Sequence, residues 1–379
     1  MPILSKRTAD LHASPIREIL AVIDRPGMIS FAGGLPAAET FPSFSLDSVE
    51  NAMLQYGPSE GEMPLREQIC GELVQRGFHC KRDQILILSG SQQGIDLVAK
   101  LFIDPGTRIA LESPTYLAAL QVFRFFGATY QTLNFDKPLQ SLSNKPALAY
   151  VIPTFQNPTG YCYTREERTA LAGACDETET PLFEDDPYRD LVFGECDRTP
   201  VCARVERASW IYQGSFSKSL APGLRLGYLV CSPDLMPYLV RLKQAADLHS
   251  NRMSQSLVLR ALQASDREAR IARLVDFYRT RRDAFECSLE EHFADLATWQ
   301  RPQGGLFFWL KLKQKIDTQA LLKVSIANNV AFMPGEPFFP LASESYPSLR
   351  LNFSHANSES AARGLETLAR LVRQTQPSH

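Results

Sequence analysis

The chain has 379 residues, of which 44% are apolar and 22% charged, and its formal net charge is −2. That length is enough for a large core split into two domains, and the near-neutral charge gives no reason to expect a nucleic-acid or anionic-membrane partner. Eight cysteines without a CxxC pair, and six histidines without ligand spacing, argue against a disulfide frame or a metal site and for reduced thiols in a cytoplasmic protein.

In chain order, the opening MPILSKRTADLHASPIREIL lacks the continuous apolar stretch of a signal peptide. Residues 1–45, with Gly33, Gly34 and several prolines, read as an N-terminal arm contributing to a small domain. From about 64 to 247 helix-like and strand-like stretches alternate. Short apolar runs predict strands at 85–88, 108–111, 129–133, 148–152, 181–184, 209–213 and 226–230. Helical patterns lie among them at 64–76, 92–102, 165–175 and 235–246. The alternation predicts an α/β large domain, 46–270, on a mostly parallel seven-stranded sheet covered on both faces. A long helical pattern at 266–293 then leads into a smaller α+β domain, 271–379, with apolar runs at 306–312 and 348–353. No segment approaches the apolar length of a membrane span.

In a parallel sheet, ligands gather at the carboxyl ends of the strands. Four segments fall there. GSFSKSLAPGLRLG, 214–227, carries a lysine flanked by serines, with an arginine seven residues further on. PTFQNPTG holds Asn157, EDDPY holds Asp185 and Tyr188, and SGSQQG holds Ser91 and Gln92. Two of them have a plainer reading: a surface lysine, and a turn asparagine before proline.

Together, and in this order, these segments resemble the fold type I pyridoxal-phosphate (PLP) enzymes, specifically the class I and II aminotransferases. SPIREIL, SFAGGLP, YGPSEG and RLNFS make the likeness greatest to the aminoadipate, kynurenine and branched-chain or aromatic group. The resemblance implies PLP as cofactor, with Lys218 as its covalent anchor and the group that moves the substrate proton. It implies that Asp185 bonds the pyridine nitrogen, with the adjacent Asp186 as rival, and that Asn157 and Tyr188 bond the phenolic oxygen. Tyr116, in ESPTY, would stack on the ring. Ser91, Gln92, Ser215 and Arg225, with Ser217 as a lesser candidate, would hold the phosphate.

By the same likeness Tyr56 reaches the phosphate of a neighbouring subunit, which implies a homodimer with shared active sites. Arg350 would grip the substrate carboxylate, though without the family it reads as an edge-strand arginine. Gly34 would lie over the substrate, and Arg17 would approach its side chain. The implied reaction is ping-pong transfer of an amino group from an L-amino acid to a 2-oxo acid such as 2-oxoglutarate. A β-lyase on the same scaffold would use the same cofactor residues. A transcription regulator carrying this domain would need a basic DNA-binding module, for which few residues stand before Ile29.

Overall fold

The computed structural model describes residues 5, 7–8, 25–45 and 51–375, so Arg17 and its SPIREIL segment lie outside the described residues. The strands, in chain order, are β1 (Ile29–Ser30), β2 (Ile85–Leu88), β3 (Arg108–Leu111), β4 (Thr129–Thr132) and β5 (Ala149–Val151). They continue as β6 (Leu182–Asp186), β7 (Trp210–Ser215), β8 (Gly227–Cys231), β9 (Ala297–Thr298) and β10 (Phe307–Leu312). Last come β11 (Val330–Ala331), β12 (Met333–Pro334) and β13 (Ser348–Asn352).

Strands β2 to β8 form one seven-stranded sheet in the order β2-β8-β7-β6-β5-β3-β4. All neighbours pair parallel except β8, which runs antiparallel to both β2 and β7. The apolar runs are explained by cover on both faces: every residue of β2, β5, β6 and β8 is buried. The reversal of β8 has a consequence for the site. Its first residue lies at the same end of the sheet as the last residues of its neighbours.

Helices wrap this sheet where local signals favour them. Arg165–Thr178 opens on Thr164, whose side chain accepts from Glu167 N while Glu167 returns the bond, and it ends on Glu179 in the left-handed region at φ 57°. Ser91–Phe102 buries Ile95, Leu97, Val98 and Ala99 against the sheet.

The second sheet has the order β12-β13-β10-β9, and its described pairings are antiparallel. Its core is shared by Leu274, Tyr278, Phe285, Leu289 and Phe293 of the 27-residue helix Arg267–Phe293 and by Leu365, Leu368 and Val372 of the terminal helix Ser358–Gln374. Strand β13 has β12 on one side and β10 on the other, so Arg350 stands on an interior strand and not on an edge. Among the described residues no helix is long and apolar enough to cross a membrane, no cluster of His, Cys, Asp and Glu could hold a metal, and all eight cysteines are free thiols.

Candidate active site

A cavity of about 400 Å³ opens at the end of the large sheet where β2, β5, β6 and β7 finish and β8 begins. Three other cavities, of about 740, 650 and 540 Å³, are larger but take in none of the expected site residues. This smaller one gathers Ser91, Gln92, Tyr116, Asn157, Asp185, Tyr188, Ser215, Ser217, Lys218, Arg225, Arg350 and Gly34.

Lys218 follows β7 and donates its ammonium to the carbonyl of Gly34 at 2.9 Å. It has no carboxylate partner among the described ion pairs. Burial, then the nearby charges of Arg350 and Arg225, bring its pKa down to about 8. A lysine in that state is neutral often enough near physiological pH to act as a nucleophile or base. Gly34 sits close to Phe307, whose Cζ would be 3.2 Å from a Cβ placed there.

Alternation along β6 separates the two aspartates. Asp185 lines the cavity, while Asp186 turns to the opposite face, where it accepts from Tyr212 Oη at 2.9 Å and Arg189 Nη1 at 3.2 Å. Asp185 accepts from Tyr150 Oη at 3.1 Å and from Gln213 Nε2 at 2.9 Å. Burial raises its pKa to about 6 against the pull of those two bonds, and Asp186 beside it adds to the rise.

Arg350 reaches in from β13. Its Nη1 donates to Asn157 Oδ1 at 3.0 Å, its Nη2 donates to the carbonyl of Ala32, and its Nε is buried without a partner. The guanidinium lies 4.3 Å from the ring centre of Phe307 and 5.0 Å from that of Phe338. Desolvation lowers its pKa to about 10, which marks a cation buried without a countercharge. Asn157 in turn donates Nδ2 to Tyr188 Oη at 3.4 Å. Burial pushes the Tyr188 phenol above its usual pKa and that of Tyr116 to about 12, so both are neutral donors.

The far end of the cavity is built for an anion. Gly90 precedes the helix Ser91–Phe102 at φ 87°, and no side chain caps the helix. The backbone N–H groups of Ser91 and Gln92 therefore point outward with the positive end of the helix dipole. Arg225, itself at φ 48°, lies against Gly90 so closely that a Cβ there would stand 2.6 Å from Nη2. Its backbone N–H donates to the carbonyl of Pro222 at 3.1 Å, while among the described residues its guanidinium makes no hydrogen bond or ion pair. Ser215, at the end of β7, accepts from the backbone N–H of Ser217 at 3.2 Å.

This arrangement fits pyridoxal phosphate. Lys218, Arg225 and Arg350 face one carboxylate, Asp185, so the cavity has an excess of cationic donors at two separate places. A dianionic phosphate suits the uncapped helix start and Arg225, and a protonated ring nitrogen suits Asp185. The orphaned Nε of Arg350 leaves a donor over for a second anion.

Tyr56 lies outside the cavity of its own chain: it is 76% exposed, edge-on to His249 with ring centres 5.8 Å apart. Tyr150 and Gln213 are contacts that the motifs do not reveal. The signal for Gln213 was present, since a glutamine in the apolar run IYQG is out of place unless it has a partner. Tyr150 gave none, being an ordinary core residue by pattern.

The family model for aminotransferase class I and II matches residues 37–368. The aromatic-amino-acid aminotransferase 1 of Thermococcus litoralis is 34% identical, over 98% of this chain and 94% of that protein. The 2-aminoadipate transaminase of Thermus thermophilus is 35% identical, over 97% of this chain and 96% of that one. The crystal structure of Pyrococcus horikoshii kynurenine aminotransferase, in complex with PMP, superposes with a TM-score of 0.91 at 33% identity, covering 98% of this chain and 97% of that one. The chain belongs to the class I and II aminotransferases: it is a fold type I, PLP-dependent enzyme that transfers amino groups.

Proposed function

We propose that the cavity beneath Gly34 is the site of transamination and that its residues act in the roles their positions suit. Bound PLP supplies a protonated ring that draws off the negative charge developing at the substrate Cα. Lys218 anchors the cofactor, and its freed amine carries the proton away from the substrate Cα and back. A pKa near 8, set by burial and two arginines, supports that use. Asp185 keeps the ring nitrogen protonated, Asn157 and Tyr188 donate to the phenolic oxygen, and Tyr116 packs on the ring. Ser91, Gln92, Ser215 and Arg225, with Ser217 beside them, hold the phosphate.

Arg350 holds the substrate α-carboxylate of amino acid and oxo acid alike. That anchoring favours transamination over a decarboxylation, which would have to release the carboxylate. Gly34 leaves room above the substrate, and Arg17 reads its side chain. Tyr56, exposed on its own chain, completes the site of a second copy in a homodimer. The large domain spans 46–270 and the small one 271–379 with part of residues 1–45. The free thiols support a cytoplasmic setting.

One observation carries the reading: a half-buried lysine and a buried arginine, neither in an ion pair among the described residues, share a single cavity with a carboxylate. Incubation of the purified protein with an amino donor and 2-oxoglutarate tests it. Glutamate formed in step with the oxo acid of the donor is the expected result. Pyruvate and ammonia released from a β-substituted alanine, without glutamate, would make it a lyase.

A further inference from the structure

Asp185 is reached by donors from the strands on both sides of it. Tyr150 on β5 gives its hydroxyl to Oδ2 at 3.1 Å, and Gln213 on β7 gives Nε2 to Oδ1 at 2.9 Å. Sheet register places both. Gln213 is directly opposite Asp185, and Tyr150 is opposite Phe183, two residues earlier and so on the same face. Tyr150 and Gln213 are 0% exposed and Asp185 only 3%, and neither donor lines the cavity.

The glutamine is held in this pose at a cost. Its Oε1 is buried without a partner, and a Cβ on Gly94 would stand 1.9 Å from it, so the helix Ser91–Phe102 carries a glycine where the amide lies. Exchanging the two amide atoms would set an acceptor against a carboxylate oxygen. Each carboxylate oxygen thus has one fixed donor within the sheet.

We propose that Tyr150 and Gln213 are positioning residues that keep Asp185 ionised and aimed into the cavity, and that they set the pH below which the protein releases the cofactor ring. This rests on the reading of Asp185 as the partner of the ring nitrogen. The opposing influences are all nearby. Asp186 is next on the strand, and Tyr116 and Tyr188 face Asp185 from within the cavity as neutral phenols. The cations Lys218, Arg225 and Arg350 line the same cavity, but none forms an ion pair with Asp185 among the described contacts. The hydrogen bonds from Tyr150 and Gln213 therefore do most to offset desolvation.

The sign follows. A protonated ring nitrogen needs an ionised carboxylate, so cofactor affinity falls as pH drops through the pKa of Asp185. Removing a donor raises that pKa and moves the acid limb of the affinity profile upward, by about one pH unit for a hydrogen bond to a charged acceptor.

The experiment measures the dissociation constant of pyridoxamine phosphate by equilibrium dialysis of the full-length protein, from about pH 5 to about pH 9, a range that brackets the carboxylate. This ligand forms no covalent bond to Lys218. Tyr150→Phe removes one oxygen atom, and Gln213→Met keeps the volume but removes the donor. Both should move the acid limb up by about one unit, with affinity at the alkaline end close to that of the unmodified protein. Asp185→Asn should flatten that limb.

An unmoved limb in folded Tyr150→Phe, with Asp185→Asn flat, overturns the clamp and leaves the Asp185 reading standing. Equal weakening at every pH would show a merely structural role and also overturns it. An unchanged profile in Asp185→Asn sinks the Asp185 reading and the clamp together. Should Gln213→Met fail to fold, Tyr150→Phe alone decides.

Discussion

Arg350 Nη1 donates to Asn157 Oδ1 at 3.0 Å, a bond that joins an interior strand of the small sheet to the loop leaving β5 of the large one. The residue proposed to hold the substrate carboxylate therefore also fixes a residue proposed to touch the cofactor. Arg350→Ala should impair amino acids and oxo acids alike, because both present the same carboxylate. Removing one partner of a desolvated charge pair costs roughly 2–5 kcal/mol, so kcat/KM should fall on the order of thirtyfold or more. Arg350→Lys should recover little, since an ammonium lacks the planar fork that bonds Asn157 and the Ala32 carbonyl together. Steady-state kinetics with one donor and one acceptor checks this. A loss confined to one substrate would make Arg350 a side-chain reader.

Lys218 gives a pH dependence with a definite sign. Its pKa is lowered from 10.5 to about 8, so the amine is protonated below that point and free above it. The rate at which cofactor-free protein takes up PLP should rise about tenfold per pH unit below pH 8 and level off above, because only the neutral amine attacks the aldehyde. Stopped-flow absorbance across that range measures it. Borohydride reduction and peptide mapping should place the pyridoxyl group on Lys218. A flat profile, or a label on another lysine, would remove Lys218 from the role.

The adjacent aspartates should show opposite phenotypes. Asp185→Asn should leave a folded protein with very slow transamination, as the side chain facing the cavity loses its charge. Asp186→Asn should spare turnover but lower the melting temperature. It breaks the buried pair with Arg189, whose side chain is 10% exposed while that of Asp186 is 0% exposed. Breaking a buried pair from one side costs roughly 3–5 kcal/mol. Thermal unfolding and turnover of both variants test this, and the reverse pattern would exchange their roles.

How much of this was legible in the sequence differs by residue. The strand at 85–88 was readable to its ends, since apolar runs buried on both faces carry their own limits. Asp185 followed from motif spacing, while the sheet's alternation supplies the physical reason: consecutive residues of β6 face opposite sides. Arg225 was readable only through the motif. Position alone misleads there, because it precedes a strand, and it joins the site only because β8 runs backwards. The plainer alternative for Arg350, an arginine on an edge strand, does not hold, since which strands flank β13 is a matter of long-range pairing that local pattern does not encode. Tyr150 was not legible at all, its hydroxyl having meaning only once β5 lies beside β6.

Gly90 should be among the least replaceable residues of the phosphate end. At φ 87° it has a backbone that costs other residues roughly 1–2 kcal/mol, and an added Cβ would stand 2.6 Å from Arg225 Nη2 and 3.0 Å from Cζ. Arg225 would have to swing aside to admit it. The two penalties fall on the same function, since one disturbs the N–H groups at the start of the helix and the other moves the arginine that lies against Gly90. Gly90→Ala should therefore weaken cofactor binding by about tenfold or more while the substrate half of the site, around Arg350, keeps its geometry. With saturating PLP the KM for the amino donor should stay near that of the unmodified enzyme. Titration of PLP into the variant, read by absorbance, gives the first number, and steady-state kinetics at excess cofactor gives the second. Unchanged PLP affinity would show that Arg225 relaxes without loss and does not hold the phosphate. A raised donor KM at saturating cofactor would show that the strain spreads into the substrate side.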